Sequence, residues 1–253
     1  MNLTKLHIKE NLSKSSFIIF AIIGLIITFL ARGMKVTAPG VNTSGDFGNY
    51  GVQWTIISLI SALACVTLTT GSSKKYLKTD LPDILKVHGL SLNKQIYHIF
   101  KANVIISMMM GILLLLGLLI NILIERPNIS LIGFLLAIII YLLTIFVVNL
   151  IMGILNLIFN SAAASLFGIF FVIVGALRGI LTFVLEMQGG LFAEILVKVL
   201  YIFPPINDLS KIARDLFLGD FDNFALVGQC LLYVWILIGL YYLVKKWKVG
   251  DEK

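Results

Sequence analysis

The 253 residues are 59% hydrophobic and 13% charged, with a mean hydropathy of +1.00, whereas a soluble domain would carry roughly a quarter charged residues. A bilayer span takes about 20 mainly apolar residues, and several stretches here reach that length, so the composition excludes a water-soluble globular domain. The net charge of +7 does not point to nucleic acid, because the basic residues lie between apolar stretches and follow membrane topology instead.

In chain order, an inner N-terminal segment, 1–15, precedes the first apolar stretch. That stretch starts late, at Phe17, and no small-residue cleavage site follows it, so it reads as a retained span rather than a signal peptide. Six spans are expected, at 16–31, 53–70, 102–124, 129–159, 165–185 and 224–244. No charged residue occurs between Pro127 and Leu177. A single helix over those residues would measure about 75 Å, against a hydrocarbon core of about 30 Å. The chain must therefore turn back, and 160–165, Asn-Ser-Ala-Ala-Ala-Ser, is the most polar place to do so. Six spans put both termini on one side. With the N-terminus inside, the inner segments hold thirteen lysines and the outer segments six lysines and arginines, so the positive-inside rule places both termini and the 71–101 loop in the cytoplasm of a cell-membrane protein. Cys65 and Cys230 fall inside spans and form no disulfide framework or metal site.

The 71–101 loop holds six lysines and a short amphipathic helix. Asp80 is its N-cap, and Asp83, three residues on, imitates a capping box. Pro82 sits in the first turn, where its missing N–H has no duty. Leu81, Ile84, Leu85 and His88 recur at i, i+3, i+4 and i+7 and share a face, with Asp83 and Lys86 opposite. Gly89 ends the helix, and Ser91 opens a second run, 92–101, that feeds the third span. The pattern fits either docking to a soluble partner or contact with lipid headgroups.

Two polar stripes lie inside spans. Ser58, Ser61, Cys65 and Thr69 share one face, as do Asn149, Gly153, Asn156 and Asn160. They fit either helix packing or a transport path, since unsatisfied polar groups facing lipid are costly. Gly175 and Gly179 form a G-x-x-x-G that permits close helix approach. Arg178, inside the same span, either snorkels to the outer headgroups or serves an outer gate or an anionic substrate group. Beyond it, 191–203 is apolar but too short to cross and is expected to be re-entrant or interfacial. Pro204 and Pro205 stop it, Asn207 is expected to cap a second helix with Leu209, Ile212, Ala213, Leu216 and Phe217 on one face, and Gly219 ends that helix. The outer helical segment runs over 186–223 and an inner tail over 245–253, all in one transmembrane domain, 1–253.

The chain carries no G-x-x-x-x-G-K-[ST] loop for ATP and no H-E-x-x-H. His7, His88 and His98 all fall in inner segments, so no intramembrane hydrolase is expected and the chain is not expected to be an enzyme by itself.

The order of parts resembles the ABC-2 type permeases. The resemblance rests on 74–80 (Lys-Lys-Tyr-Leu-Lys-Thr-Asp), Ile84-Leu85, Gly89 and 91–101 in the inner loop, and on 203–208 (Phe-Pro-Pro-Ile-Asn-Asp) with 216–219 (Leu-Phe-Leu-Gly) before the last span. It covers most of the chain and departs from many members in lacking a Glu-rich, Gly-Thr start to the inner loop. The resemblance implies an all-α polytopic fold of six transmembrane helices, a cytoplasmic coupling helix and short outer helices. It implies that Asp80, Leu81, Asp83, Ile84, Leu85, Lys86 and His88 couple to a separate ABC ATPase subunit, which would hold the ATP and Mg. It implies a second permease chain, in a homodimer or heterodimer, with Gly175 and Gly179 as candidate dimer-interface residues. Ser58, Ser61, Thr69, Asn149, Asn156 and Arg178 are then candidates for a substrate path. Small permeases that export amphipathic cytolytic peptides of the phenol-soluble modulin type are the nearest in character. A lipid-like molecule, a drug or a bacteriocin would suit the same apolar path, as would a membrane immunity protein without transport.

Overall fold

A computed structural model describes residues 3–31, 48–77, 81–125 and 129–250. They are all-α: α1 Leu3–Leu12, α2 Ser15–Leu30, α3 Gly48–Leu77, α4 Leu81–Val87, α5 Leu92–Glu125, α6 Leu131–Ile158, α7 Ser161–Gln188, α8 Leu191–Leu200, α9 Ile206–Phe217 and α10 Phe224–Gly250. Five of these, α3, α5, α6, α7 and α10, are long and apolar enough to cross a membrane, and a sixth span exists if the bent pair α1–α2 is counted as one.

That pair bends by 58° where Lys14 takes an extended conformation. The 16 residues of α2 reach about 24 Å at 1.5 Å per residue, short of the core thickness. The expected first span is thus a short apolar helix with a polar helix before it. No helix is anticipated over the first 15 residues, because the buried face of α1 is Leu3, Thr4, His7 and Asn11. Its periodicity is polar, and a hydropathy pattern cannot register it.

α6 begins on Ser130, whose side chain accepts from the Gly133 N–H, and ends at Phe159, where the backbone is extended. Asn160 then caps α7, its side chain accepting from the Ala163 N–H at 2.8 Å. The reversal expected over 160–165 is therefore confined to Phe159 and Asn160. Good helix formers, three alanines, carry α7 from Ser161 onward.

α3 lies at the centre, packed by α2, α5, α6, α7 and α9. The buried share of the apolar window falls from 61% in α3 to 17% in α10, so α7 and α10 are the peripheral helices. The largest core cluster joins α3, α6 and α9 through Trp54, Tyr141 and Phe217. Trp54 meets both other rings edge-on, at 6.1 and 5.9 Å. α9 approaches the start of α6 closely enough that a Cβ on Gly133 would strike the Leu216 carbonyl.

Candidate functional site

The two regions singled out in the sequence lie at opposite ends of α3: α4 follows its last turn, and α9 packs beside its first turns. At the α4 end, the helix stops by a Schellman motif. Gly89, at φ 80°, donates to the Lys86 carbonyl at 2.9 Å, and Leu90 donates to the Leu85 carbonyl at 2.9 Å. Only a residue tolerant of positive φ closes this pattern without strain. Its hydrophobic contact is present too, as Leu85 and Leu90 pack on Leu3 of α1 and Ile99 of α5. Buried Gln95 donates to the carbonyls of Pro82 (3.0 Å) and Leu90 (2.7 Å), tying both ends of α4 to α5.

This anchoring divides the expected apolar face. Leu85 turns inward, while Ile84 is 53% and Val87 85% exposed, and Asp83, Lys86 and His88 are exposed around them. Asp80 lies outside the described residues, as does the side chain of Leu81. Val87 was not anticipated because the heptad-like spacing assigns it to neither face. What exposes it is the position of Leu85, which the packing of α1 and α5 fixes.

α1 is joined to α5 by polar contacts. Thr4 Oγ1 lies 2.9 Å from His98 Nδ1, His7 Nε2 lies 3.2 Å from Asn103 Oδ1, and Asn11 Nδ2 lies 3.3 Å from His7 Nε2. Lys14 donates to Asn11 Oδ1 at 2.6 Å. Two of the three histidines thus hold this joint.

At the α9 end, Gly189 and Gly190 both take positive φ and reverse the chain, so that α8 runs back along α7. Pro204, after α8, sits against Gly175, where a Cβ would strike the Pro204 carbonyl. Gly175 lies 13 residues before the last residue of α7, Gln188, or about 20 Å down its axis. α9 then returns to the end of the bundle, where its final turn meets Gly133. The two short helices form a hairpin whose tip, 201–205, packs against α7 at Gly175. Asn207 does not cap α9: the N-cap is Pro205, with no side-chain hydrogen bond. Gly219 ends α9 as expected, at φ 83°, with Asp220 donating to Asp215 and Gly219 to Leu216.

Arg178 is buried. It forms an ion pair with Asp208 in the first turn of α9, both side chains being under 15% exposed. Its guanidinium carbon also stands 4.7 Å from the Tyr201 ring centroid. Arg178, Tyr201, Asp208, Gln229 and Tyr233 line an open cavity of ≈ 350 Å³ between α7, the hairpin and α10. Tyr233 donates to the Ile202 carbonyl at 2.9 Å, so α10 also holds the tip. Asp208 is the partner that sequence reasoning missed; it lies 30 residues from Arg178 and enters there only as the end of the 203–208 segment. Gly175 and Gly179 both face this hairpin within the chain, Gly179 at 2.6 Å (as a Cβ) from the Asn207 amide.

The polar stripes are buried between helices except at Gly153, which is half-buried, and Asn160, which is exposed in the turn before α7. Ser61 of α3 hydrogen-bonds the Tyr141 hydroxyl of α6 at 2.5 Å, and Tyr141 donates to the Gly111 carbonyl of α5 at 3.1 Å. Asn149 donates to its own helix at Ile145 and accepts from Ser107 of α5 at 3.4 Å. Thr69 bonds back to the Cys65 carbonyl. Buried Ser58 has no hydrogen-bond partner among the described residues, and neither amide atom of Asn156 has one. Asn156 borders a cavity of ≈ 20 Å³ shared with Asn103 and Tyr241, room for about one water. Cys65 and Cys230 are free and buried. Among the described residues no group of three His, Cys, Asp or Glu is placed to hold a metal ion.

Comparison with protein-family models, with characterised proteins and with solved structures gives no match.

Proposed function

We propose that this chain is the permease subunit of an ATP-driven exporter of the ABC-2 type. It pairs with a separate ATPase subunit and a second permease copy to move an amphipathic or hydrophobic substrate across the cell membrane. Cytolytic peptides of the phenol-soluble modulin type are the substrate the resemblance favours. Both termini and α4 are on the cytoplasmic side in this reading, and the α8–α9 hairpin enters from outside.

The observation that carries it is α4. A seven-residue helix is too short to be stable in isolation, yet this one is stopped by a Schellman motif, clamped by Gln95 and packed on α1 and α5 through Leu85. That support holds Ile84 and Val87 outward at one end of the bundle. A pair of exposed aliphatic side chains on a rigid mount suits insertion into a cleft of a soluble subunit. The symmetric partner copy would lie against the lipid-facing side of α7, where Ile173, Leu177 and Ile180 are exposed.

The test is co-expression with an ABC ATPase subunit, taken from a gene beside this one where one is found. A stable complex with ATPase activity is expected. Val87→Glu and Ile84→Glu should leave the chain folded but lose the complex or uncouple ATP hydrolysis from export. A purified chain that ignores the ATPase, or full export by both variants, defeats the reading.

A further inference from the structure

We propose that the crevice between the start of α5 and the end of α10 binds the phosphate headgroup of an anionic lipid. The crevice is a cavity of ≈ 160 Å³ lined by Asn93 of α5 and by Tyr242, Lys245, Lys246 and Val249 of α10. No carboxylate lines it, and among the described residues none forms an ion pair with either lysine. The next acidic residues along the chain, Asp251 and Glu252, lie outside the described residues.

Its depth follows from the two helices themselves. The apolar run of α5 begins after Lys101, and that of α10 ends before Lys245. Phe100 and Tyr241, each next to or near its boundary, stack at 4.6 Å between centroids, and Lys245 Nζ lies 5.9 Å from the Tyr97 ring centroid. The two water–hydrocarbon boundaries are therefore level, and the lysines stand where headgroup phosphates lie. Basic pockets between membrane helices at that level recognise anionic headgroups. The amide of Asn93 and the phenol of Tyr242 add neutral donors, which a phosphate can use and a cation cannot. Exposed Leu243 and Trp247 flank the opening, an aliphatic surface for an acyl chain and an indole suited to the interface. This assignment rests on the crevice alone and holds whether or not the chain transports anything.

The full chain is reconstituted in nanodiscs of equimolar phosphatidylglycerol and phosphatidylcholine and extracted in mild detergent, and its retained lipids are counted by mass spectrometry. Two lysines at headgroup level give roughly tenfold or more enrichment of the phosphatidylglycerol. K245Q/K246Q should abolish it, K245R/K246R should keep it, and Lys211→Gln at the other end should not alter it. Equal melting temperatures of the variants separate lost binding from lost folding. Equal retention of the two lipids by the unaltered chain, or enrichment that survives K245Q/K246Q, overturns the proposal. Displacement of the lipid by millimolar inorganic phosphate also overturns it, since the acyl part would then contribute nothing. Lipid retention unchanged in K245Q/K246Q while the ATPase is lost assigns the lysines to the protein partner and has the same consequence.

Discussion

The Arg178–Asp208 pair is the residue-scale feature with the largest energetic stake. Both side chains are under 15% exposed, so removing one leaves a largely buried charge without its partner. Arg178→Gln should cost about 3 kcal/mol, whereas Arg178→Gln with Asp208→Asn should cost less than the sum of the single changes. Unfolding of the detergent-solubilised chain gives the cycle. Additive single costs would mean that the two groups do not interact. The glycines beside them behave differently from each other. Gly175→Ala drives a methyl into the Pro204 backbone, which cannot yield without moving the tip. It should cost about 1–3 kcal/mol. Gly179→Ala meets a side-chain amide that can rotate away, and a smaller loss is expected. Asn156 makes a third case. Burial without a partner costs about 1–3 kcal/mol, so Asn156→Leu should be neutral or stabilising in a melting experiment unless a water in the adjacent cavity satisfies the amide.

At the scale of elements, α4 and α1 depend on each other. Leu3, Leu85, Leu90 and Ile99 form one small cluster, so the helix that presents Ile84 and Val87 is only as rigid as the N-terminal helix beneath it. Gly89→Ala forces a Cβ into the left-handed region at φ 80°, at about 1–2 kcal/mol, and should loosen α4 selectively. Hydrogen exchange should rise over α4 while α3 and α5 keep their protection. Leu85→Ala should give the same signature through packing. In that respect Leu85 tests the mount, and Ile84 and Val87 test the docking surface. The polar joint of α1 has no such exposed role: His7, Asn11 and Asn103 are all buried, and they fix the angle at which α1 leaves α2.

For the whole molecule, the peripheral position of α7 and α10 leaves long apolar faces outside. α7 exposes Leu166, Phe170, Ile173, Leu177 and Ile180. Cysteine placed at Ile173 or Leu177 should cross-link two copies within the membrane if α7 forms the pair contact, because Cys65 and Cys230 are buried and do not compete. Absence of a dimer at every α7 position would move that contact elsewhere. Much of this arrangement was legible in the sequence. Hydropathy marks the five long spans, and Gly89 and Gly219 mark two helix ends because positive φ is chemically specific. Two things were not legible. α1 buries polar side chains, so its helix leaves no apolar period. The hairpin depends on the match of Gly175 to Pro204 and of Arg178 to Asp208, pairings of high sequence separation that no local pattern encodes.

The α8–α9 hairpin also bears on how the chain is made. In the proposed orientation, 189–223 emerges outside before α10 has been inserted. That stretch holds Glu194, Lys198, Asp208, Lys211, Arg214, Asp215, Asp220 and Asp222, and in that orientation it would afterwards pack against helices already in place. Its seat is incomplete until α10 supplies Tyr233, whose hydroxyl donates to the Ile202 carbonyl at the tip. In that orientation the hairpin would dock fully only once α10 is in place. A chain stalled before α10 should expose 191–217 to an external protease, and the finished protein should not.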